Sequence, residues 1–319
     1  MQSPSAPIPP CVVILATGGT IAGTAGSPTD SLGYTAGRLG VQQLLAAVPA
    51  LAQRELQAEQ IAQIDSKDMD FAVWQALALR AEHHLARAEV AGVVVTHGTD
   101  TLEETAYWLQ RVLAPTKPVV LCSAMRPATS LQADGPQNLL DAVTLAFEPD
   151  AAGVLAVLAG TVHGPFDVRK THTWRLDAFG SGDAGPIARV QAGQVRRLRE
   201  WPRSAPLGTG WLADARWPRV EIVMSHAGAS GAAVDALVAQ GVDGLVAAGT
   251  GNGTLHHAVE SALRRAQAAG VAVRRATRVA EGPLLDAGPG DLPGCGALSA
   301  VQARIELMLE LMLARRAVQ

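Results

Sequence analysis

The chain has 319 residues, 48% of them hydrophobic and 17% charged, with a formal net charge of −3. The length favours two domains over one compact core, and the apolar content excludes a disordered chain. The near-balanced charge, with no block of lysine or arginine, leaves no electrostatic footprint for nucleic acid, so a small molecule is the expected partner.

Met1 to Pro10 has no basic leader, and the apolar run from Cys11 to Ala16 is too short for the core of a signal peptide. Nothing approaches the roughly 18 apolar residues of a membrane span, so a cytoplasmic location is expected. Cys11, Cys122 and Cys295 are scattered and odd in number, which argues against a disulfide framework or a zinc site and reads as buried or incidental thiols.

Val12 to Ala16 is the first of four continuous apolar runs, followed by Gly92 to Thr96, Val119 to Cys122 and Val154 to Ala159. Such runs are strands buried on both faces of a parallel sheet. The stretches between them have helical periodicity, so the reading is α/β: a larger N-terminal domain with a mainly parallel sheet flanked by helices. Thr17-Gly-Gly-Thr20 follows the first strand, and its glycines let backbone come close to a ligand. No Gly-Lys-Ser/Thr follows, so it is not a phosphate loop, and its spacing is not that of a dinucleotide fingerprint. Ser66, within Asp65-Ser-Lys-Asp-Met69, reads by itself as a turn or cap residue.

Thr96-His-Gly-Thr-Asp-Thr101 sets a hydroxyl, Thr99, beside a carboxylate, Asp100, at another strand end, where ligands of open α/β sheets gather. The same residue types are ordinary helix caps, and Thr101-Leu-Glu-Glu104 reads as a capping box ahead of a helix over Thr105 to Leu113. Lys170, in Asp167-Val-Arg-Lys-Thr171, reads by itself as a solvated lysine. The histidine pairs His83-His84 and His256-His257 lie on predicted helices, where adjacent side chains diverge, and so are not read as metal ligands.

From Glu200 to Arg219 the chain is rich in Pro, Gly, Trp and Arg and loses periodicity, which suggests a connection. The expected organisation is a catalytic α/β domain over 1–199, a linker over 200–219 and a smaller C-terminal α/β domain over 220–319. In the last, Val220 to Met224 and Gly244 to Ala248 read as strands, and Ala233 to Gln240 and Leu255 to Ala269 as helices. Ser299-Ala-Val-Gln302 reads as a capping box opening a helix to about Ala314.

Ile14-Leu-Ala-Thr-Gly-Gly-Thr-Ile-Ala-Gly23 and Thr96-His-Gly-Thr-Asp-Thr-Leu-Glu-Glu-Thr105 resemble the two signatures of the bacterial-type L-asparaginase/glutaminase-asparaginase family. Ala124-Met-Arg-Pro127, Ala133-Asp-Gly-Pro136 and Gly249-Thr-Gly-Asn-Gly253 are similar to it in content and order. The resemblance implies hydrolysis of L-asparagine to L-aspartate and ammonia through an acyl-enzyme, with no cofactor and no metal. Thr20 is then the nucleophile, Tyr34 closes over it on a mobile loop, and Thr99, Lys170 and Asp100 form a second hydrogen-bonded catalytic group. Ser66, Thr99 and Asp100 hold the substrate's charged end. Asn252 serves a neighbouring subunit's site in a homotetramer of tight dimers. Lys67 stands where several members of the family have glutamine, and Glu281 is the nearest candidate for a substrate-contacting glutamate.

This division of labour suits the chemistry. A threonine hydroxyl needs a base, and an amide needs its oxyanion stabilised and its leaving nitrogen protonated. Backbone N–H groups around Thr99 are the expected oxyanion donors. Three other readings share these residues: a glutaminase-asparaginase acting on both amides, a non-catalytic amino-acid-binding module, and a nucleotide binder by fold analogy alone.

Overall fold

The computed structural model describes residues 9–317 apart from 31, 215, 286, 287 and 289. The sequence reading of the first eight residues, and parts of the readings at 200–219 and 278–293, fall outside them. Two compact units are present, Met1–Leu212 and Ala213–Gln319.

The first unit alternates strands and helices: β1 (Cys11–Gly18), α1 (Val41–Ala46), β2 (Leu56–Ile64), α2 (Phe71–Leu85), β3 (Val90–Thr96), α3 (Leu102–Leu113), β4 (Pro118–Cys122), α4 (Gly135–Ala146) and β5 (Gly153–Leu158). After β5 come the short strands β6 (Thr161–His163), β7 (Arg169–Lys170), β8 (Phe179–Gly180), β9 (Ala188–Gln191) and β10 (Gln194–Arg197). One eight-stranded sheet has the order β10-β9-β6-β5-β4-β3-β1-β2, and β7 and β8 form a separate ribbon. From β2 to β5 the pairing is parallel, and from β5 to β10 it is antiparallel.

The apolar runs become central strands because both of their faces are covered. Val12, Ile14, Val94 and Val120 pack with Leu139, Ala142 and Val143 of α4 and Val41 and Leu44 of α1. The alternate residues Val13, Leu15, Val93 and Val95 are equally buried on the other side, where α2 and α3 meet with Trp74 stacked on Trp108 at 5.2 Å. Each such large apolar side chain removed from water contributes about 1.5–3 kcal/mol. The edge strand β2, Leu-Gln-Ala-Glu-Gln-Ile-Ala-Gln-Ile, has no such run and is only half covered.

Because β1 lies between β2 and β3, the chain leaves β1 in one direction and crosses back over it to reach β3. That reversal opens a crevice beyond the carboxyl ends of β1 and β3, the place where open parallel sheets bind ligands. The two threonine segments emerge there.

Two local features differ from expectation. Thr101 precedes α3, but its side chain makes no cap. With φ −122° and ψ 19° it is outside the extended geometry that lets a cap hydroxyl reach the helix N–H groups, and its Oγ1 donates to Ser66 O at 2.8 Å instead. Within 201–212, Trp201 joins the main core, and the N–H groups of Leu207 and Gly208 donate to the carbonyls of Arg111 and Val112. The loss of periodicity there reflects irregular chain that satisfies the last carbonyls of α3.

In the second unit β11 (Val220–Met224), α5 (Ala232–Ala239), β12 (Gly244–Gly249), α6 (His257–Ala268), β13 (Ala272–Thr277) and α7 (Ala300–Ala317) form a parallel sheet of order β11-β12-β13 with helices packed on it. The capping box at α7 is present: Ser299 N–H donates to Gln302 Oε1 at 3.1 Å, and Gln302 N–H to Ser299 Oγ at 3.3 Å. His256 caps α6 rather than joining it, so its ring does not diverge from that of His257 but stacks on it at 4.3 Å. No helix of the described residues is long and apolar enough to cross a membrane.

Candidate active site

At the end of β1 the chain passes through Gly18 and Gly19, with φ of 109° and 82°, into a short 3-10 turn starting at Thr20. Gly19 lies so close to the second threonine segment that a Cβ on it would sit 2.4 Å from Cα and N of Gly98. A Cβ on Gly98 would in turn sit 2.4 Å from Ser66 Oγ. Three segments distant in sequence are thus brought together, Gly19 backbone against Gly98 backbone and Gly98 against the Ser66 side chain, an approach that the lack of a Cβ on both glycines permits. Thr17 Oγ1 adds a bond to Thr96 O at 2.9 Å across the strand ends.

Thr20 is buried, and its Oγ1 is 2.8 Å from the hydroxyl of Tyr34. Tyr34 stands on a segment tied down by paired backbone bonds between Thr24 and Thr35, and its ring lies against Gly23, where a Cβ would meet it at 2.9 Å. Asp30 accepts from the N–H groups of Gly33 and Leu32, bonds that hold its carboxyl below the usual range, the Gly33 bond most, and fix the tip of this loop. Ala25 N–H donates to Thr129 Oγ1 at 2.9 Å, anchoring its base.

Thr99 and Asp100 follow β3. Lys170 comes to them from β7, its Nζ donating to Thr99 Oγ1 at 2.9 Å and to Asp100 Oδ1 at 2.6 Å. Its side chain is 21% exposed, whereas that of Asp100 is 52% exposed and can still accept from a ligand. Ser66 is buried at the start of a 3-10 turn capped by Asp65. It accepts from Asp100 N–H at 3.2 Å through Oγ, which leaves its own O–H to donate. That N–H is therefore already engaged, contrary to its expected use as an oxyanion donor. The neighbouring Lys67 turns its head to Asp65 at 2.7 Å, and this carboxylate raises the ammonium's pKa.

The structure gathers Thr20 with Tyr34, and Thr99 with Asp100, Lys170 and Ser66. Asn252 is in the second unit, where its side chain donates to Leu285 O and accepts from Leu285 N–H, each at 2.8 Å. His163 is buried and bonded to Ser181 at 2.7 Å, while His172 accepts from the N–H groups of Trp174 and Arg175. Among the described residues no group of three or more His, Cys, Asp or Glu is placed to hold a metal ion.

Both threonine segments fall within a stretch shared with known proteins. Residues 11–203 match the family described as "Asparaginase, N-terminal", and residues 219–317 match "Glutaminase/Asparaginase C-terminal domain". The chain belongs to the asparaginase family. It is 40% identical to the L-asparaginase 2 of Escherichia coli K12 over 314 residues, covering 95% of this chain and 89% of the relative. To the glutaminase-asparaginase of Pseudomonas fluorescens biotype A it is 37% identical, covering 85% and 76%. A crystal structure of a probable cytoplasmic L-asparaginase from Campylobacter jejuni superposes with a TM-score of 0.89 at 36% identity, covering 95% of each chain.

Two residues of this asparaginase-family site were not singled out from sequence. His97 is fully buried beneath the Thr99 turn. Glu103 sits in the first turn of α3 and accepts from the backbone N–H of Lys170. Burial drives its carboxyl up to about 7, with the charge of Glu104 adding and those of Arg169 and Lys170 opposing. The unfolded chain loses this proton near the ordinary value of 4.5 while the folded protein keeps it to about 7. Its stabilising contribution is therefore full below pH 4.5 and lost as pH rises through 7, at 1.36 kcal/mol per unit. Glu103→Gln retains an acceptor for the Lys170 N–H and is expected to raise stability above pH 7 by at most about 3 kcal/mol, with no gain at pH 4.5. Thermal unfolding across that range checks the sign, and an equal shift at both ends refutes it.

Proposed function

We propose that this protein is an L-asparagine amidohydrolase that releases L-aspartate and ammonia, with Thr20 as its nucleophile. The observation that carries the reading is the pairing of two buried threonine hydroxyls with proton-bearing partners, Thr20 with Tyr34 and Thr99 with Lys170, at the carboxyl ends of β1 and β3. The substrate's α-amino group meets the half-exposed Asp100 carboxylate, and its α-carboxylate accepts from the free O–H of Ser66. Holding both ends presents the side-chain amide to Thr20, an orientation effect worth up to roughly 7–11 kcal/mol in favourable systems.

Thr20 Oγ1 then attacks the amide carbon. The C–N bond breaks, the hydroxyl's proton ends on the departing ammonia, and an ester to Thr20 remains. Water cleaves the ester, restoring the hydroxyl and giving aspartate. Thr99, Lys170 and Asp100 form one connected path of hydrogen bonds along which a proton can move to or from that water. The route draws on hydroxyl, amine and carboxylate groups and calls for no cofactor.

The proposal includes the domain roles read from sequence, a catalytic unit followed by a smaller one. It also includes a homotetramer in which Asn252 serves a neighbouring subunit; Asn252 has one amide proton left over from its bonds to Leu285 for that purpose. A cytoplasmic location is supported by the similarity to the Campylobacter jejuni protein, and cell fractionation tests it. A second reading, action on both amides, is favoured by the likeness to the Pseudomonas fluorescens glutaminase-asparaginase. One methylene discriminates by only about 1–3 kcal/mol in a pocket. Ammonia release from L-asparagine and L-glutamine side by side is expected to favour asparagine; a glutamine preference overturns the assignment, and release from neither supports the amino-acid-binding reading.

A further inference from the structure

We infer that His97 is a positioning residue: a buried imidazole, locked by a chain of hydrogen bonds from Trp74 and Thr105, that fixes the Gly98–Thr99 peptide plane and so aims the Thr99 backbone into the site. The inference rests on the amidohydrolase reading above for what that aim accomplishes.

Each proton in the chain is assigned by what its neighbour can do. His97 Nδ1 lies 2.7 Å from Gly98 O. A carbonyl only accepts, so Nδ1 carries the proton and Nε2 is left with a lone pair. Thr105 Oγ1, 2.9 Å from Nε2, therefore donates to it. The same hydroxyl accepts from Trp74 Nε1–H at 2.9 Å, and an indole nitrogen only donates. The sequence of donors runs one way, from Trp74 to Thr105 to His97 to Gly98 O. His97 and Thr105 are completely buried and Trp74 nearly so. Reversing one bond would leave a buried donor or acceptor unpaired, at about 1–3 kcal/mol.

The backbone is held as well. His97 N–H donates to Cys122 O at 2.9 Å, and Ser123 Oγ donates to His97 O at 2.6 Å, fastening the residue to the end of β4. Burial lowers the imidazole to about 4, so the ring is neutral at pH 7, and its bonds to Gly98 O and Thr105 Oγ1 select the tautomer. In a trans peptide the carbonyl and the N–H of the next residue point in opposite directions. Holding Gly98 O against the ring turns Thr99 N–H away from it. Because Asp100 N–H is engaged by Ser66 Oγ, Thr99 N–H is the donor of this turn that the locked plane offers to a developing oxyanion. The same plane sets the Thr99 side chain against Lys170.

The test measures kcat and KM for L-asparagine in wild type, Thr105→Val and Thr105→Ser, together with 15N NMR of the His97 ring in histidine-labelled protein. Valine keeps the shape of Thr105 but can neither donate to His97 nor accept from Trp74. The expected result is an Nδ1–H tautomer in wild type, and in Thr105→Val a kcat lower by about 10–100-fold with KM within about threefold. Thr105→Ser, which restores the hydroxyl, is expected to recover kcat to within about threefold of wild type. An unchanged kcat in a folded Thr105→Val protein overturns the inference, and so does a loss that serine does not rescue. If the valine variant does not fold, the wild-type spectrum decides: an Nε2–H or protonated ring at pH 7 overturns the inference. Wild-type turnover is the separate control. Its absence rejects the amidohydrolase reading, while the tautomer still decides whether the ring is locked as stated.

Discussion

Thr20→Ala is expected to leave a folded protein whose kcat on L-asparagine is lower by about 10⁴-fold or more, the scale seen when a nucleophile is removed from a catalytic group that acts as a unit. The fold should tolerate the change, because the lost hydroxyl bonds Tyr34 and Thr20 sits in a three-residue turn rather than in the sheet. A loss of about 1 kcal/mol of stability is the expected cost. Lys170→Met should match it in activity, since it removes the amine that joins Thr99 to Asp100. The two variants differ in the intermediate they can hold. If Thr20 attacks first, its variant forms no acyl-enzyme, whereas the Lys170 variant can still trap one slowly, visible by mass spectrometry as an ester on Thr20. Near-wild-type turnover in either variant removes that residue from the mechanism.

Gly19→Ala is expected to inactivate the protein by a different route. The backbone there is at φ 82° and ψ −174°, a region essentially confined to glycine, which costs an L-residue roughly 1–3 kcal/mol. The added methyl also meets the Gly98 backbone at 2.4 Å, with no flexible side-chain end to give way. Overpacking of this kind typically costs a further 1–3 kcal/mol or so. Relief requires the segments carrying Thr20 and Thr99 to move apart. Activity should therefore fall below about 1% of wild type, the scale of a displacement near 1 Å, and the thermal midpoint should fall with it. Gly185→Ala is the control: its φ of 67° and ψ of 175° put it in the same glycine region and carry a similar backbone cost, but open space surrounds its Cβ. Equal loss of activity in both variants would show that close approach at Gly19 is not the cause.

The sequence made most of the central architecture legible because burial on both faces writes itself as an unbroken apolar run. β1, β3, β4 and β5 are visible for that reason. β2 and β13 are edge strands, and the glutamines of one and Arg274 and Arg275 of the other mask any apolar pattern. The hairpin β9–β10 turns through Ala192 and Gly193, both at positive φ, and Ala192 gives no turn signal.

The candidate site is legible where motif and strand end coincide, as at Thr20 and Thr99. Lys170 was visible only through resemblance, since a lysine in a polar loop carries no mark of its destination. Glu103 and His97 were missed because their character comes from burial and from partners elsewhere in the fold. A glutamate in the first turn of a helix reads as a helix former, and a histidine beside glycine reads as part of a turn.

The manner in which the site is gathered also bears on how the protein is made. Lys170 lies 71 positions beyond Thr99, and a ribosome adding 5–20 residues per second delivers it roughly 4–14 s later. Until then the strand ends can pair but the second hydroxyl lacks its amine. The growing chain thus carries both threonines for some seconds before the site is complete, and under the proposed mechanism a translation arrest anywhere before β7 yields fragments that release no ammonia.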